Sequence, residues 1–570
     1  MSVYDIAFIA VAVLCYVLAF SKGARKRLDS IPLFKNAEGV IANTVSSRYG
    51  YFLAAVVLVG IAVRVWRFGE IPYGFNQDEA MAALEAASLA KNGTDHYGMV
   101  YPVYFTAWQT HQMNVLLSYI TAVLFRLFGA SIFVARLPLL IFSLISLCVV
   151  YFFSRRMLGK NAALVILFVF AVDPWHIMIG RWALESNLLP HLLLIGCYLM
   201  YLGMEKKGFM YLSMAVFGIA MYSYGTSYYM VPTLLLMLCI YLLRTKTIKW
   251  YDVLICTAVY AAVSWPIFVM MALNLFRLET VELPFMTIPF FEKGERLNDI
   301  LFFSGGFFKQ LGKNLLCTVC IVLFQVRDSA WNSIPSIGPF YYLSIPFLIM
   351  GFVFFVDELR DSPREKRRGI AIITMLFAAA FISGLITNHV NLNRINCIVY
   401  PVLFMVGYAI YIIIKKLKVT LVPIALMFSL LFGSFCNSYF FGEFSKELGR
   451  EFYTDFVQSV NYVKEMDYEE LHVTAKTQGE NAEFVSEIMT QFLLGLDVRY
   501  TTGELLPDGE LPYEDKYFYG ISADSMDPED IGAVYVIRMD EAEYFNKDIY
   551  DIECFGDYGV VTHKLWLGDS

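Results

Sequence analysis

Charge is scarce in this 570-residue chain. Asp, Glu, Lys and Arg make up 17% of it, while 58% is hydrophobic and the mean hydropathy is +0.56. A water-soluble fold of this length cannot hide so much apolar surface, which excludes a soluble enzyme. Internal repeats and low-complexity linkers are missing. A transporter built from two repeated halves, with charges near the bilayer midplane, therefore finds little support. Cysteine is sparse in the last third: Cys554 is alone after residue 441, so no disulfide can form there. Cys317 and Cys320 have CxxC spacing in an apolar run, without the second pair or histidine a metal site needs, and read as packing.

What is present in quantity is apolar runs close to 20 residues long, the length of a membrane-crossing helix. Aromatic residues make up 16% and many flank those runs, as interfacial belts do. The net charge of −7 conceals two opposite parts. From Gly442 onward there are 29 Asp and Glu against 9 Lys and Arg, a balance of −20, which leaves +13 for the remainder. The positive charge lies in short loops between apolar runs, an arrangement unsuited to nucleic acid.

Six basic loops fall at Lys22–Arg27, Arg155–Lys160, Lys206–Lys207, Arg244–Lys249, Arg360–Arg368 and Lys415–Lys418. Placing all six in the cytoplasm predicts about twelve spans. They run near 4–20, 50–67, 133–153, 161–178, 188–204, 209–225, 228–243, 251–272, 340–356, 369–386, 396–414 and 420–438. The first span has basic residues after it and none before, which predicts an uncleaved segment and an outside N-terminus. Residues 113–130 are apolar enough to cross, but crossing would put later basic loops on the wrong side. They read as a helix at the outer interface. The expected fold is a polytopic α-helical membrane protein: a transmembrane body over 1–441, with interfacial helices in loop 68–131, and an acidic extracytoplasmic α/β accessory domain over 442–570. In that tail the pattern predicts helices over 443–466, 481–496 and 541–547 and strands over 471–476, 532–539 and 552–562. The tail carries neither a glycine-rich phosphate loop nor a metal-ligand cluster.

The outside face then collects four chemically informative segments. Gly74-Phe75-Asn76-Gln77-Asp78-Glu79-Ala80 opens a small-residue helix that Asn92-Gly93 stops. Asp78 as an N-cap and Glu79 near the helix dipole would explain the pair, and so would catalysis. Arg181 and Glu185 stand i, i+4, which reads either as a helical ion pair or as an anion ligand with a further carboxylate. Loop 273–339 holds Arg277, Lys293, Arg296, Lys309, Lys313 and Arg327, with Phe302, Phe303, Phe307 and Phe308 nearby. That pattern suits a lipid tail and its phosphate. Its Asp328-Ser329-Ala330-Trp331-Asn332 suits sugar contacts. In Asn388–Asn396, Arg394 among amides either grips a phosphate or snorkels to the interface. His111 is a candidate helper.

These features, in this order, resemble the GT-C superfamily of integral-membrane glycosyltransferases, and within it the branch of aminoarabinose transferases and protein O-mannosyltransferases. The resemblance runs over about residues 50–440. It takes in the acidic pair after a span, an Ala-rich helix, Tyr101-Pro102, the segment ending Leu127-Phe128-Gly129, Ala135-Arg136-Leu137-Pro138, and Arg181 to Glu185. Thr110-His111-Gln112-Met113 departs from it, because aminoarabinose transferases carry a Glu-Lys-Pro run there. The resemblance implies an inverting transfer of a sugar from a polyprenyl-phosphate donor to an extracytoplasmic acceptor, whether protein, glycolipid or cell-wall polymer. It implies Asp78 as base, with Glu79 and Glu185 orienting. Arg394, Arg181, Arg327 and Lys313 are then the expected phosphate contacts, and His111, Trp331 and Asn332 the expected acceptor or sugar contacts. No cofactor is required, though a divalent metal would serve the phosphate equally well. The expected location is a bacterial plasma membrane. The rival expectations are a membrane transporter and an inactive envelope sensor; loss of the tail should leave an enzyme some activity and a sensor none.

Overall fold

The computed structural model describes residues 3–108, 111–292, 306–326, 328–477, 480–504, 513, 516–522 and 529–566. Among these, eight helices are long and apolar enough to cross a membrane. A shorter helix overlaps each of the other four expected spans, none of them meeting that length by itself. Tyr49–Val65 has 17 residues and bends by 72° from Pro32–Ser47. Lys160–Val172 has 13, Lys207–Ala220 has 14, and Ser344–Arg360 has 17. Large apolar side chains such as Leu58, Phe152, Leu236, Leu254 and Leu426 face outward, which suits lipid rather than water. The chain is a multi-pass membrane protein. The segment 113–130 forms Leu116–Phe128, 13 residues or about 20 Å of helix, against the ~30 Å of a hydrocarbon core.

A buried polar network ties the spans together near their cavity-side ends. Arg64 donates to Ser143 Oγ (3.0 Å), to the carbonyls of Gly60, Phe170 and Ala171, and lies 2.7 Å from His176 Nδ1. His176 Nε2 meets Tyr400 Oη at 3.0 Å, and Tyr400 Oη meets His191 Nδ1 at 2.6 Å. The Arg64 guanidinium joins four helical segments of the body, and His176 extends the network to two more through Tyr400 and His191. Burial of the guanidinium is tolerable because every N–H has an acceptor.

The tail is a five-stranded sheet in the order Tyr550–Phe555, Tyr558–His563, Ala533–Arg538, Glu470–Val473, Tyr517–Tyr519. Glu470–Val473 is parallel to both neighbours and the remaining pairs are antiparallel. The expected strand over 552–562 is a hairpin, because Gly556 (φ +64°) turns the chain. The expected helix over 443–466 is two helices, Glu443–Glu451 and Thr454–Lys464. It breaks where Tyr453 takes a left-handed φ of +51°. The tail helix Glu483–Leu494 packs on Gln77–Asn92, with Phe492 stacked on Phe75 (5.2 Å) and on Phe125 (6.2 Å).

Candidate active site

Helix Gln77–Asn92 begins at a capping box, and the cap is Asn76. Its Oδ1 accepts the Asp78 N–H at 3.0 Å, while Glu79 Oε2 accepts the Asn76 N–H at 3.1 Å. Gly93 closes the helix with φ +76°. The sequence alone allowed Asp78 to be the cap. Asn76 takes that role, and Asp78 lines a cavity of about 420 Å³.

Glu79 turns the other way. It is fully buried and held by Arg136, whose Nε lies 2.9 Å from Oε1 and Nη2 2.7 Å from Oε2. The Ala183 N–H adds a bond to Oε1 at 2.7 Å. The remaining N–H groups of Arg136 reach the carbonyls of Gly69, Pro72 and Gly74. Glu79 thus fastens the helix start to the body and does not line the cavity.

Glu185 does line it. It opens helix Glu185–Gly203, and its Oε2 accepts the Asn114 N–H at 2.7 Å. Asn114 belongs to a short hairpin, Tyr104–Ala107 paired with His111–Asn114, whose inner end supplies Trp108, His111 and Gln112 to the cavity wall. Arg394 comes from a segment far along the chain. The short helix Leu392–Ile395 is capped by Asn391, and Arg394 Nη1 donates to Thr387 Oγ1 at 3.2 Å while the residue faces the same space. Asp78, Glu185, His111 and Arg394, distant in sequence, therefore share one chamber.

Other expected site residues lie elsewhere. Arg181 is fully buried and donates to five backbone carbonyls, those of Val63, Arg64, Trp66, Arg67 and Ile71, at 2.8–3.2 Å. Four of these sit at or just past the end of helix Tyr49–Val65, where carbonyls lack helical partners. Arg181 caps a helix, and neither the ion pair to Glu185 nor a phosphate contact is available to it. Lys313 is exposed on helix Phe307–Leu323, away from the cavity. Trp331 packs on Trp182 at 6.1 Å and Asn332 is buried beside it; neither lines the chamber. Arg327, Lys293, Arg296, Phe302 and Phe303 lie outside the described residues.

Sequence reasoning missed one wall. Tyr224, Thr226, Tyr228 and Tyr229 line the cavity, and the Asn114 Nδ2 donates to Tyr228 Oη at 3.0 Å. The signal was the run Tyr222-Ser223-Tyr224-Gly225-Thr226-Ser227-Tyr228-Tyr229 between two apolar segments, too polar and too aromatic for a bare turn. The chamber thus offers two carboxylates, one guanidinium, an imidazole, and hydroxyl and indole groups. That set suits a polyol beside a phosphate. Among the described residues no three His, Cys, Asp or Glu side chains are grouped so that they could hold a metal ion.

The family profile described as dolichyl-phosphate-mannose-protein mannosyltransferase matches residues 114–271. The structure of ArnT from Cupriavidus metallidurans bound to undecaprenyl phosphate is similar with a TM-score of 0.55 and 14% identity, over 92% of this chain and 100% of that one. The apo form of the same protein gives 0.53 and 13%, over 90% and 98%. The oligosaccharyltransferase of Archaeoglobus fulgidus in its apo form gives 0.47 and 11%, over 86% and 70%. No curated protein sequence matches the chain. The fold is that of the GT-C glycosyltransferases. Beyond the fold, the likeness is that of residues 114–271 to the mannosyltransferase profile and of the chain's architecture to ArnT.

Proposed function

We propose that this protein is an inverting glycosyltransferase that moves one sugar from a polyprenyl-phosphate carrier to an acceptor outside the membrane of a bacterial cell. The observation that carries the reading is the chamber itself. Asp78, next to the Asn76 cap, and Arg394, a half-buried residue, line one space beside the membrane-spanning helices. A lipid-borne phosphate rests naturally at such a boundary while its tail stays among the apolar helices. The ArnT structure that this chain resembles holds undecaprenyl phosphate.

In the proposed reaction Asp78 accepts the proton of an acceptor hydroxyl as its oxygen attacks the anomeric carbon. The bond to the carrier phosphate breaks on the opposite face, so the centre inverts. Arg394 stabilises the charge gathering on the departing phosphate. Glu185 holds the hairpin through Asn114 and, with His111 and the tyrosines, orients the sugar and the acceptor. Envelope glycans compared by mass spectrometry, with the protein deleted and restored, test the reading. A glycan that returns with the wild type and not with Asp78→Asn is expected. Return with both would remove Asp78 from the base role.

A further inference from the structure

We propose that the acidic tail is a positioning device for Asp78, with Tyr453 as the residue through which it acts; this rests on Asp78 being the base. Three consecutive tail residues each bond one of the three residues that precede Asp78. The Phe452 carbonyl accepts the Phe75 N–H at 2.6 Å. The Glu451 carbonyl accepts from Asn76 Nδ2 at 3.1 Å. The Tyr453 hydroxyl donates to Gln77 Oε1 at 2.8 Å.

The middle contact sets an orientation. A carboxamide has one donating and one accepting end. With Nδ2 on Glu451, Oδ1 must point to the helix, where it receives the Asp78 N–H. The Asn76 cap is therefore held in place from the tail. Close approach is built in: Gly74 has φ +78°, and a Cβ there would run into the Phe452 carbonyl. Phe452 is fully buried, edge-on to Trp182 (5.2 Å) and beneath the Arg136 guanidinium (5.9 Å). It thus touches the same arginine that holds Glu79. Tyr453 keeps a left-handed φ of +51° to make its turn, a conformation uncommon for a tyrosine. Burial raises its phenol above the ordinary range, and the neighbouring Asp78 charge adds to that, so the group stays protonated and donates. A tail that shifts must drag residues 75–77, and Asp78 with them. On this reading a chain ending at 441 loses transfer, contrary to the sequence-based expectation of an accessory domain.

The test uses the full-length protein in proteoliposomes, with initial rates against pH. Tyr453→Phe keeps the ring and removes one hydrogen bond. It is expected to lower kcat on the order of tenfold, leave the donor KM unchanged, and displace the acid limb of the kcat profile. Gly74→Ala should lower kcat at least as much. Lys91→Ala, which breaks the Lys91–Asp497 ion pair (2.6 Å) elsewhere on the same seam, should change neither kcat nor the profile. A wild-type kcat and profile in Tyr453→Phe overturns the proposal. So does a kcat loss that follows a lowered unfolding temperature with the acid limb fixed. Asp78→Asn in the same assay separates the two readings: if it stays active, the base assignment fails. If it is dead while Tyr453→Phe behaves as wild type, only the tail's role fails.

Discussion

Two arginines of the body do different work because their surroundings differ. Arg181 is fully buried and donates to five backbone carbonyls, whereas Arg394 lines the chamber, with Thr387 Oγ1 at its Nη1. Arg181→Ala should leave several buried acceptors unpaired and lower the unfolding temperature, with loss of folded protein in detergent. Arg394→Ala should keep the wild-type melting curve and raise the donor KM on the order of tenfold, the scale of one charge-assisted contact. Equal melting losses in both would contradict the division. Arg136→Met should cost about 3–5 kcal/mol, because it leaves the Glu79 carboxylate buried without its partner. Denaturant titration checks this, and a change under about 1 kcal/mol would contradict it. At this scale Asp78, Glu185 and Arg394 were legible, since ionisable groups beside spans are costly and so conspicuous. The roles of Arg181 and Glu79 were not. Helix-end carbonyls carry no sequence signature, and Arg136 lies 57 residues from Glu79.

Between elements, the seam of helix Gln77–Asn92 with tail helix Glu483–Leu494 carries a titratable cluster. Glu85 Oε1 meets His96 Nδ1 at 2.7 Å, and Glu85 Oε2 accepts the His96 N–H at 3.0 Å. Burial, then the charge of Glu85, pushes the Asp95 carboxyl up to about 7. Burial lowers His96, but attraction to Glu85 outweighs it and the net shift is upward. Burial also raises Glu487, which faces the pair from the tail. All three groups hold protons more tightly folded than unfolded. Stability therefore falls as pH rises, through about 7 for Asp95 and through the raised value of His96. Amides of 483–494 should exchange faster at about pH 8.5 than at about pH 6, beyond the intrinsic base catalysis. Equal corrected protection would contradict the assignment. The helices here were legible from caps and composition. The hairpin 104–114 was not, because its short strands lack alternation and a turn signature.

Across the whole molecule, the chamber is lined from residue 78, from 107, 108 and 111–113, from 184–186, from 224–226, 228 and 229, and from 387 and 393–394. The charge pattern puts all of these on one side of the bilayer, and their convergence is what that topology requires. We expect that side to be the exterior, with the tail on it. A membrane-impermeant maleimide should then label Cys554, which is exposed, in intact cells. Labelling only after lysis would put the tail in the cytosol. Eight of the twelve expected spans were legible as long apolar helices, because the bilayer imposes one length and one polarity on a crossing. The docking of the tail was not, since it joins residues about 375 positions apart and two of its bonds end on backbone carbonyls, at 451 and 452, that any residue would supply.

The most direct measurement is release of free polyprenyl phosphate by purified protein given polyprenyl-phosphate monosaccharides and an envelope acceptor extract. Wild-type protein should release the carrier in step with labelled sugar entering the acceptor, and folded Asp78→Asn should release none above background. Release by Asp78→Asn at the wild-type rate would contradict the account.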